Sequence, residues 1–418
     1  MTRLGSILLW SAIAAAFIGP GTVTASASAG AGFGLSLLWA VLFSGFATYV
    51  LQEFAARLAI ASGRDLAEVL RHRYARGWRR AACVVLIGGA ILLGCAAYEA
   101  GNILGGAAGA MLAIDLPQPT VALAIGVAAA VLLATGSPRR IASIMALFVA
   151  LMGIGFLLAA VSILFAGGLV WGARGAGTDP LVPILALIGT TVVPYNLFLG
   201  AALACGQGVA EMRIGLAVSV ALGVLITAGV LVVGTTLTGE FSFEALGDAL
   251  ALSLGEWART GFALGLFAAG ISSAITAPLA AALTARGLFG WGERSAGYHA
   301  VWAAVLLAGL GFGVADIRPV PAIIAAQAFN GMILPLVALF LLWAMNDRRL
   351  LGEAVNGRVA NLVGALVVAI AGLLGTMGIV RAASATLGSE PPSPGTLLAA
   401  GLVGGVGLAI AGLRTTRG

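Results

Sequence analysis

Apolar residues in this chain neither alternate nor form stripes. They come in unbroken runs of about twenty residues, the length a helix needs to cross a bilayer, and most of the charge lies in the short segments between them. The pattern predicts twelve membrane-spanning helices, over 5–31, 34–58, 81–110, 119–136, 141–169, 181–207, 214–238, 257–286, 297–314, 320–345, 359–382 and 394–413. A closed β-barrel would alternate apolar and polar residues, so the fold class is an all-α polytopic membrane protein. The third run is long and is expected to tilt, or to bend near Gly105-Gly106.

Two of the runs contain proline where a spanning helix tolerates it poorly. Gly19-Pro20-Gly21-Thr22 lies in the first, and Val193-Pro194-Tyr195-Asn196 in the sixth. Proline removes a backbone donor and clashes with the preceding turn, so each site should break its helix. Broken backbone survives in lipid only when it is buried in protein or lines a cavity. Matching breaks in two halves of a chain point to a transporter's binding site. The prolines are 174 residues apart, and five helices carry the chain to the opposite side. The second five are therefore expected to be inserted upside down. One transporter domain is read over 1–418, with repeat one at 5–169, repeat two at 181–345 and peripheral helices at 359–413.

Composition narrows the class further. Of 418 residues, 61% are hydrophobic and 9% charged, more apolar surface than a soluble protein can hide. The 61 glycines suit close helix packing in a bilayer. Cys83, Cys95 and Cys205 lie in apolar stretches without paired spacing, which argues against disulfides and a structural zinc site. The first run does not read as a cleavable signal. All 22 basic residues are arginine; Arg174, Arg259, Arg318 and Arg381 fall on one side and the other 18 on the opposite side. The arginine-rich side should be cytoplasmic, with both termini inside and the protein in the cell (inner) membrane. Topology thus explains the +6 charge without nucleic acid. The basic loop 62–80 reads as a topogenic segment touching anionic lipid, and the outer loop 240–256, with its four acids, as solvated.

The residues also resemble a known family. Phe33-Gly34-Leu35-Ser36-Leu37-Leu38-Trp39, Ala61-Ser62-Gly63-Arg64-Asp65-Leu66, Gly189 through Leu197, Ser272 through Thr276 and Asp347 through Glu353 resemble segments of the Nramp family of proton-coupled divalent-metal transporters. That resemblance implies the LeuT-type inverted repeat of five plus five helices, and a metal cation as cargo. It also implies where ligands should stand. The family's first motif is Asp-Pro-Gly-Asn, which falls on Gly19 to Thr22; its sixth-helix motif is Met-Pro-His-Asn, which falls on Val193 to Asn196. The aspartate, asparagine, methionine and histidine positions are Gly19, Thr22, Val193 and Tyr195. A carbonyl ligand falls at Thr190.

No side-chain ligand set for a metal is therefore evident. A thioether favours softer transition metals, and Val193 offers none. A buried dication without a carboxylate has only neutral dipoles against its desolvation cost. Thr22, Thr190, Thr191 and Asn196 could hold a largely hydrated hard cation, a monovalent cation, or a neutral or zwitterionic molecule. The expected activity is secondary transport by alternating access, with high-affinity manganese or iron transport disfavoured. The alternatives are a transporter of a small organic or anionic solute, or a transport-inactive binding protein. Nothing marks an enzyme or an ATP-driven pump. No cofactor is expected; the partners are a small solute or cation and membrane lipid, and the sequence sets no oligomeric state.

Glu99 is the acidic residue deepest in an apolar span and a candidate proton or ion site, against a neutral packing role. By resemblance it matches an aspartate of the family's proton route, and Asn102 a glutamate. Gln327 matches a position near the substrate route, whereas Asn330 reads as an interhelical hydrogen-bonder. Glu53 and Arg57 are spaced to pair. Ser272, Ser273 and Thr276 either line the cavity or satisfy backbone carbonyls. His72 and His299 read as surface residues.

Overall fold

A computed structural model describes residues 18–73, 84–135, 139–168, 170–172, 179–204, 206–390 and 392–413. The expected spans 1 to 5 appear as α1 (Pro20–Phe33), α2 (Leu38–Ser62), α4 (Gly89–Met111), α5 (Gln118–Thr135) and α6 (Arg139–Phe165), with a short helix α3 (Leu66–Arg73) after α2. Span 6 is divided into α7 (Leu181–Thr191) and α8 (Pro194–Ala204). Then follow α9 (Val209–Gly234), α10 (Phe243–Leu254), α11 (Glu256–Phe289), α12 (Ala296–Val314), α13 (Pro319–Ala344), α14 (Arg358–Thr386) and α15 (Pro394–Leu413). The described residues hold eleven stretches apolar and long enough to span, one of which, Pro20–Ser62, contains both α1 and α2. The N-terminal part of the first span, with Cys83 and Cys205, lies outside the described residues.

α1 begins at Pro20, whose fixed φ suits a first helical turn and whose missing N–H would have lacked a partner there anyway. Gly19 precedes it in extended backbone (φ −102°, ψ 176°). α1 ends at Gly34, φ 57°, where a Cβ would stand 2.8 Å from the Gly172 carbonyl oxygen, so a side chain is excluded by both torsion and space. Leu35 N–H then donates to the Val170 carbonyl (2.9 Å) and turns the chain into α2.

Three segments carry more structure than the sequence reading gave them. α4 runs unbroken through Gly105-Gly106 and is entered through a π-helical stretch, Val84–Gly88. These glycines let neighbours approach: a Cβ at Gly105 would stand 2.8 Å from Pro20 Cγ, and one at Gly106 3.2 Å from Gly270 Cα on α11. The segment 240–256 contains α10, capped by Ser242 and burying Phe243, Leu246 and Leu250, although Glu240, Glu244, Asp248 and Glu256 are exposed. The loop 62–80 is likewise more than a charged tether. Asp65 accepts from Glu68 N–H (2.8 Å), while Glu68 Oε2 accepts from Asp65 N–H (3.3 Å). This reciprocal cap starts α3, which buries Leu66, Ala67, Val69 and Leu70 and packs on α11.

The centre is formed where α1, α7 and α13 meet. α1 packs on α7, α9, α13 and α4, and α7 lies along α13. A Cβ at Gly189 would stand 2.5 Å from the Gly331 nitrogen, so α7 and α13 touch backbone to backbone. α14 and α15 pair with each other at the periphery, chiefly against α13.

Candidate functional site

The second break is a two-residue gap. α7 stops at Thr191, Val192 turns the chain (φ −91°, ψ 77°), and Pro194 opens α8. Backbone freed by such a gap needs partners in a bilayer. Thr48 Oγ1 on α2 donates to the Thr191 carbonyl (3.2 Å), and Asn196 N–H closes the turn onto the Val193 carbonyl (3.1 Å). One helical turn further, Gln52 Nε2 on α2 donates to the Asn196 carbonyl (3.0 Å).

The start of α1 meets the end of α7 through threonines: Thr22 Oγ1 and Thr190 Oγ1 are 3.0 Å apart, both buried, joining residues 168 positions apart in the chain. Gln327 closes the same region from α13. Its amide lies against Gly21, where a Cβ would stand 2.6 Å from Gln327 Cδ, and its Oε1 has no hydrogen-bond partner among the described residues. Gly19, at the aspartate position of the resemblance, faces Ser273 Oγ, 3.5 Å from where a Cβ would be. Thr276 instead returns its hydroxyl to the Ser272 carbonyl (2.8 Å). Thr191 does the same to Leu187 (2.9 Å), so its hydroxyl is committed to its own helix.

The remaining positions are apolar, aromatic or unpartnered. Val193 is buried and Tyr195 packs edge-on against Tyr98, with ring centroids 5.3 Å apart at 89°. The Tyr98 hydroxyl donates to the Gly189 carbonyl at the end of α7. Asn196 is 1% exposed, and neither Oδ1 nor Nδ2 has a hydrogen-bond partner among the described residues. Among the described residues no group of three or more His, Cys, Asp or Glu could hold a metal ion.

Glu99 is fully buried. It lies against Gly309 of α12, where a Cβ would be 2.5 Å from Glu99 Cγ. Glu99 Oε2 accepts from Asn102 Nδ2 (3.3 Å) and Oε1 is unpartnered. Asn330 donates to the Ala326 carbonyl (3.0 Å) and weakly to the Gly94 carbonyl (3.4 Å), tying α13 to α4. His72 and His299 are exposed.

Glu53 and Arg57 do pair (3.0 Å), and Arg213 of α9 joins them at 2.6 Å. Arg57 also donates to the Ala354 carbonyl (3.1 Å) and to Asn356 Oδ1. This cluster fastens α2, α9 and the segment after α13 together at the arginine-rich side.

The sequence reading passed over Thr48, Gln52 and Tyr98. The first two were accessible: Ser44, Thr48 and Gln52 recur every four residues and share one face of α2. Tyr98 gave no such signal, because an aromatic beside Glu99 in an apolar helix does not declare its direction.

Comparison with known proteins places this geometry. The family described as "Natural resistance-associated macrophage protein-like" matches residues 11–381. The divalent metal cation transporter MntH of Mycobacterium tuberculosis is 25% identical over 400 residues, covering 87% of this chain and 88% of the relative. The MntH of Verminephrobacter eiseniae is 28% identical over 378 residues, covering 82% of each. A crystal structure of a point mutant of the Eremococcus coleocola manganese transporter superposes with TM-score 0.73 at 20% identity, covering 97% of this chain and 91% of that one. Mhp1, a nucleobase-cation-symport-1 transporter, superposes at 0.63 with 16% identity, covering 97% and 91%. These neighbours carry the LeuT-type fold. Matched by the family's profile over nearly its whole length, this multi-pass membrane chain belongs to the Nramp family of transporters.

Proposed function

We propose that the chain is a secondary transporter working by alternating access, with cargo held at mid-depth between residues 19–22 and 190–196. The observation that carries this is the contact of Thr22 with Thr190 between the start of α1 and the end of α7 (3.0 Å). A binding site shared by two oppositely inserted halves opens to one side or the other as those halves rock. In this reading the arginine-rich side, with both termini, is cytoplasmic and the membrane is the inner one. The Glu53–Arg57–Arg213 cluster then lies at the cytoplasmic mouth.

The cargo is a small solute or cation that neutral dipoles can hold. Relatives named as divalent metal cation transporters support a cation. The donors at the breaks are hydroxyl, carboxamide and carbonyl groups, with Gly19 and Val193 in place of anionic and sulfur ligands. Such a set does not offset the desolvation of a bare manganese or iron ion. Glu99 with Asn102 is the proposed proton site.

Reconstitution of the full chain in proteoliposomes tests the reading. Manganese, magnesium, monovalent cations and a panel of small amino and organic solutes are offered singly with a pH-sensitive dye inside. Saturable uptake of a solute other than micromolar manganese, abolished by Thr22→Val, is expected. Binding without flux for every solute would refute the transport reading.

A further inference from the structure

The polar face of α2 ends in an unfinished site. Gln52 is fully buried; its Nε2 is used on the Asn196 carbonyl, which fixes Oε1 as an acceptor, and that Oε1 has no partner. Asn196 leaves both side-chain atoms unpartnered, and Gln327 leaves its Oε1. Buried polar atoms in folded proteins nearly always find partners, because an orphan carries its full desolvation cost. Here the orphans come from three carboxamides on α2, α8 and α13, the helices that surround the second break. The closest acid on α2, Glu53, is one residue on and committed to Arg57 and Arg213.

We propose that Gln52 and Asn196 form a subsite that contacts the transported solute, and that the solute is recognised through N–H groups, as an ammonium-type cation or a carboxamide. This rests on the transporter reading above and names the cargo's chemistry. Acceptor oxygens predominate among the orphans, so the occupant must bring donors. Asn196 Nδ2 adds one donor, which a carboxamide's own oxygen would accept. Neutral amide oxygens suit a single positive charge or none, whereas a dication needs carboxylates to replace its water. Gln52 Oε1 lies against α8 at Gly200, where an added Cβ would stand 2.5 Å from it.

The test uses the purified full chain in proteoliposomes and in detergent. The probes are ammonium, methylammonium, urea and acetamide at millimolar concentration, against magnesium and manganese. At least one N–H probe should be taken up saturably and raise the Tm of the wild type. Gln52→Leu should raise its half-saturating concentration about tenfold, the scale of one lost hydrogen bond to a buried partner, and should remove the Tm response. Uptake confined to ammonium and methylammonium identifies a cation, and uptake of urea or acetamide a neutral amide; either supports the subsite. Gln52→Glu should lose the neutral probes and gain response to magnesium, which a residue serving only as interhelical glue would not do. The proposal is overturned if no N–H probe shifts Tm, or if Gln52→Leu responds like the wild type. A Tm response without uptake would sink the transport reading alone.

Discussion

Two glycines contact α13 at the centre, and a methyl group added to each should have opposite consequences. Gly189→Ala puts a Cβ 2.5 Å from the Gly331 nitrogen and 3.0 Å from the Gln327 carbonyl carbon. The Gln327 carbonyl oxygen is closer still, and ordinary carbon contacts begin at about 3.5 Å, so α7 and α13 would have to part by more than about 1 Å. Both groups are backbone and neither can rotate away. Overpacking typically costs 1–3 kcal/mol, and a rigid backbone clash belongs at or above about 3 kcal/mol. Gly21→Ala meets only the far end of Gln327, whose Cδ stands 2.6 Å from the new atom. That side chain can swing aside for about 0.5–1.5 kcal/mol of rotamer strain, against a helix-propensity gain of up to about 1 kcal/mol. Gly21→Ala should therefore fold with a nearly unchanged Tm yet lose uptake, because the Gln327 amide is displaced. Gly189→Ala should lose many degrees of Tm or fail to accumulate. Tryptophan-fluorescence melting in detergent and proteoliposome uptake read the two effects separately. Gly189→Ala with a wild-type Tm, or Gly21→Ala with wild-type transport, would refute the packing described for α13.

Thr22→Val keeps shape while removing the hydroxyl contact with Thr190; a loss of about 1 kcal/mol in stability and of saturable uptake is expected, read by melting and flux. Glu53→Gln should cost roughly 2 kcal/mol and reduce flux, because Arg57 and Arg213 lose their shared carboxylate; added salt should lower the wild type's stability toward the variant's. Burial holds the Asp65 carboxyl above its usual range, partly opposed by its hydrogen bond from Glu68 N–H. The folded form thus keeps its proton more firmly than the unfolded one, so this residue's contribution to stability is greatest below the ordinary carboxylate range and is lost as pH rises through the raised value. Asp65→Asn, an equally good helix cap, should match or exceed the wild type's Tm at neutral pH, with the difference shrinking toward acid.

The second to twelfth spans and the break at Pro194 were legible because each depends on local facts: run length for a helix, proline for an interruption; of the first span only the part from Ile18 on is described. α10 was not, since its acids suggested a solvated loop while Phe243, Leu246 and Leu250 are spaced for one buried face. Direction around a helix was harder still. In a span apolar on all sides no stripe says which side faces the centre, so the sequence could not tell that α4 turns Tyr98 to the end of α7 and lays Glu99 against α12. Ser44, Thr48 and Gln52 show the converse: their spacing did carry direction, because polar residues in a membrane helix are few enough to mark a face. The glycines at 105 and 106 are ambiguous in sequence, where close packing and a bend look alike.

Manganese uptake by the full chain in proteoliposomes tests the central claim most directly, because it asks whether hydroxyls and carboxamides suffice at the positions where the family resemblance expects anionic and sulfur ligands. The expected result is no saturable manganese uptake at micromolar concentration, together with saturable uptake of another small solute that Thr22→Val abolishes. Saturable micromolar manganese uptake abolished by Thr22→Val would contradict the account, because it would place a tightly held transition metal between the two broken helices.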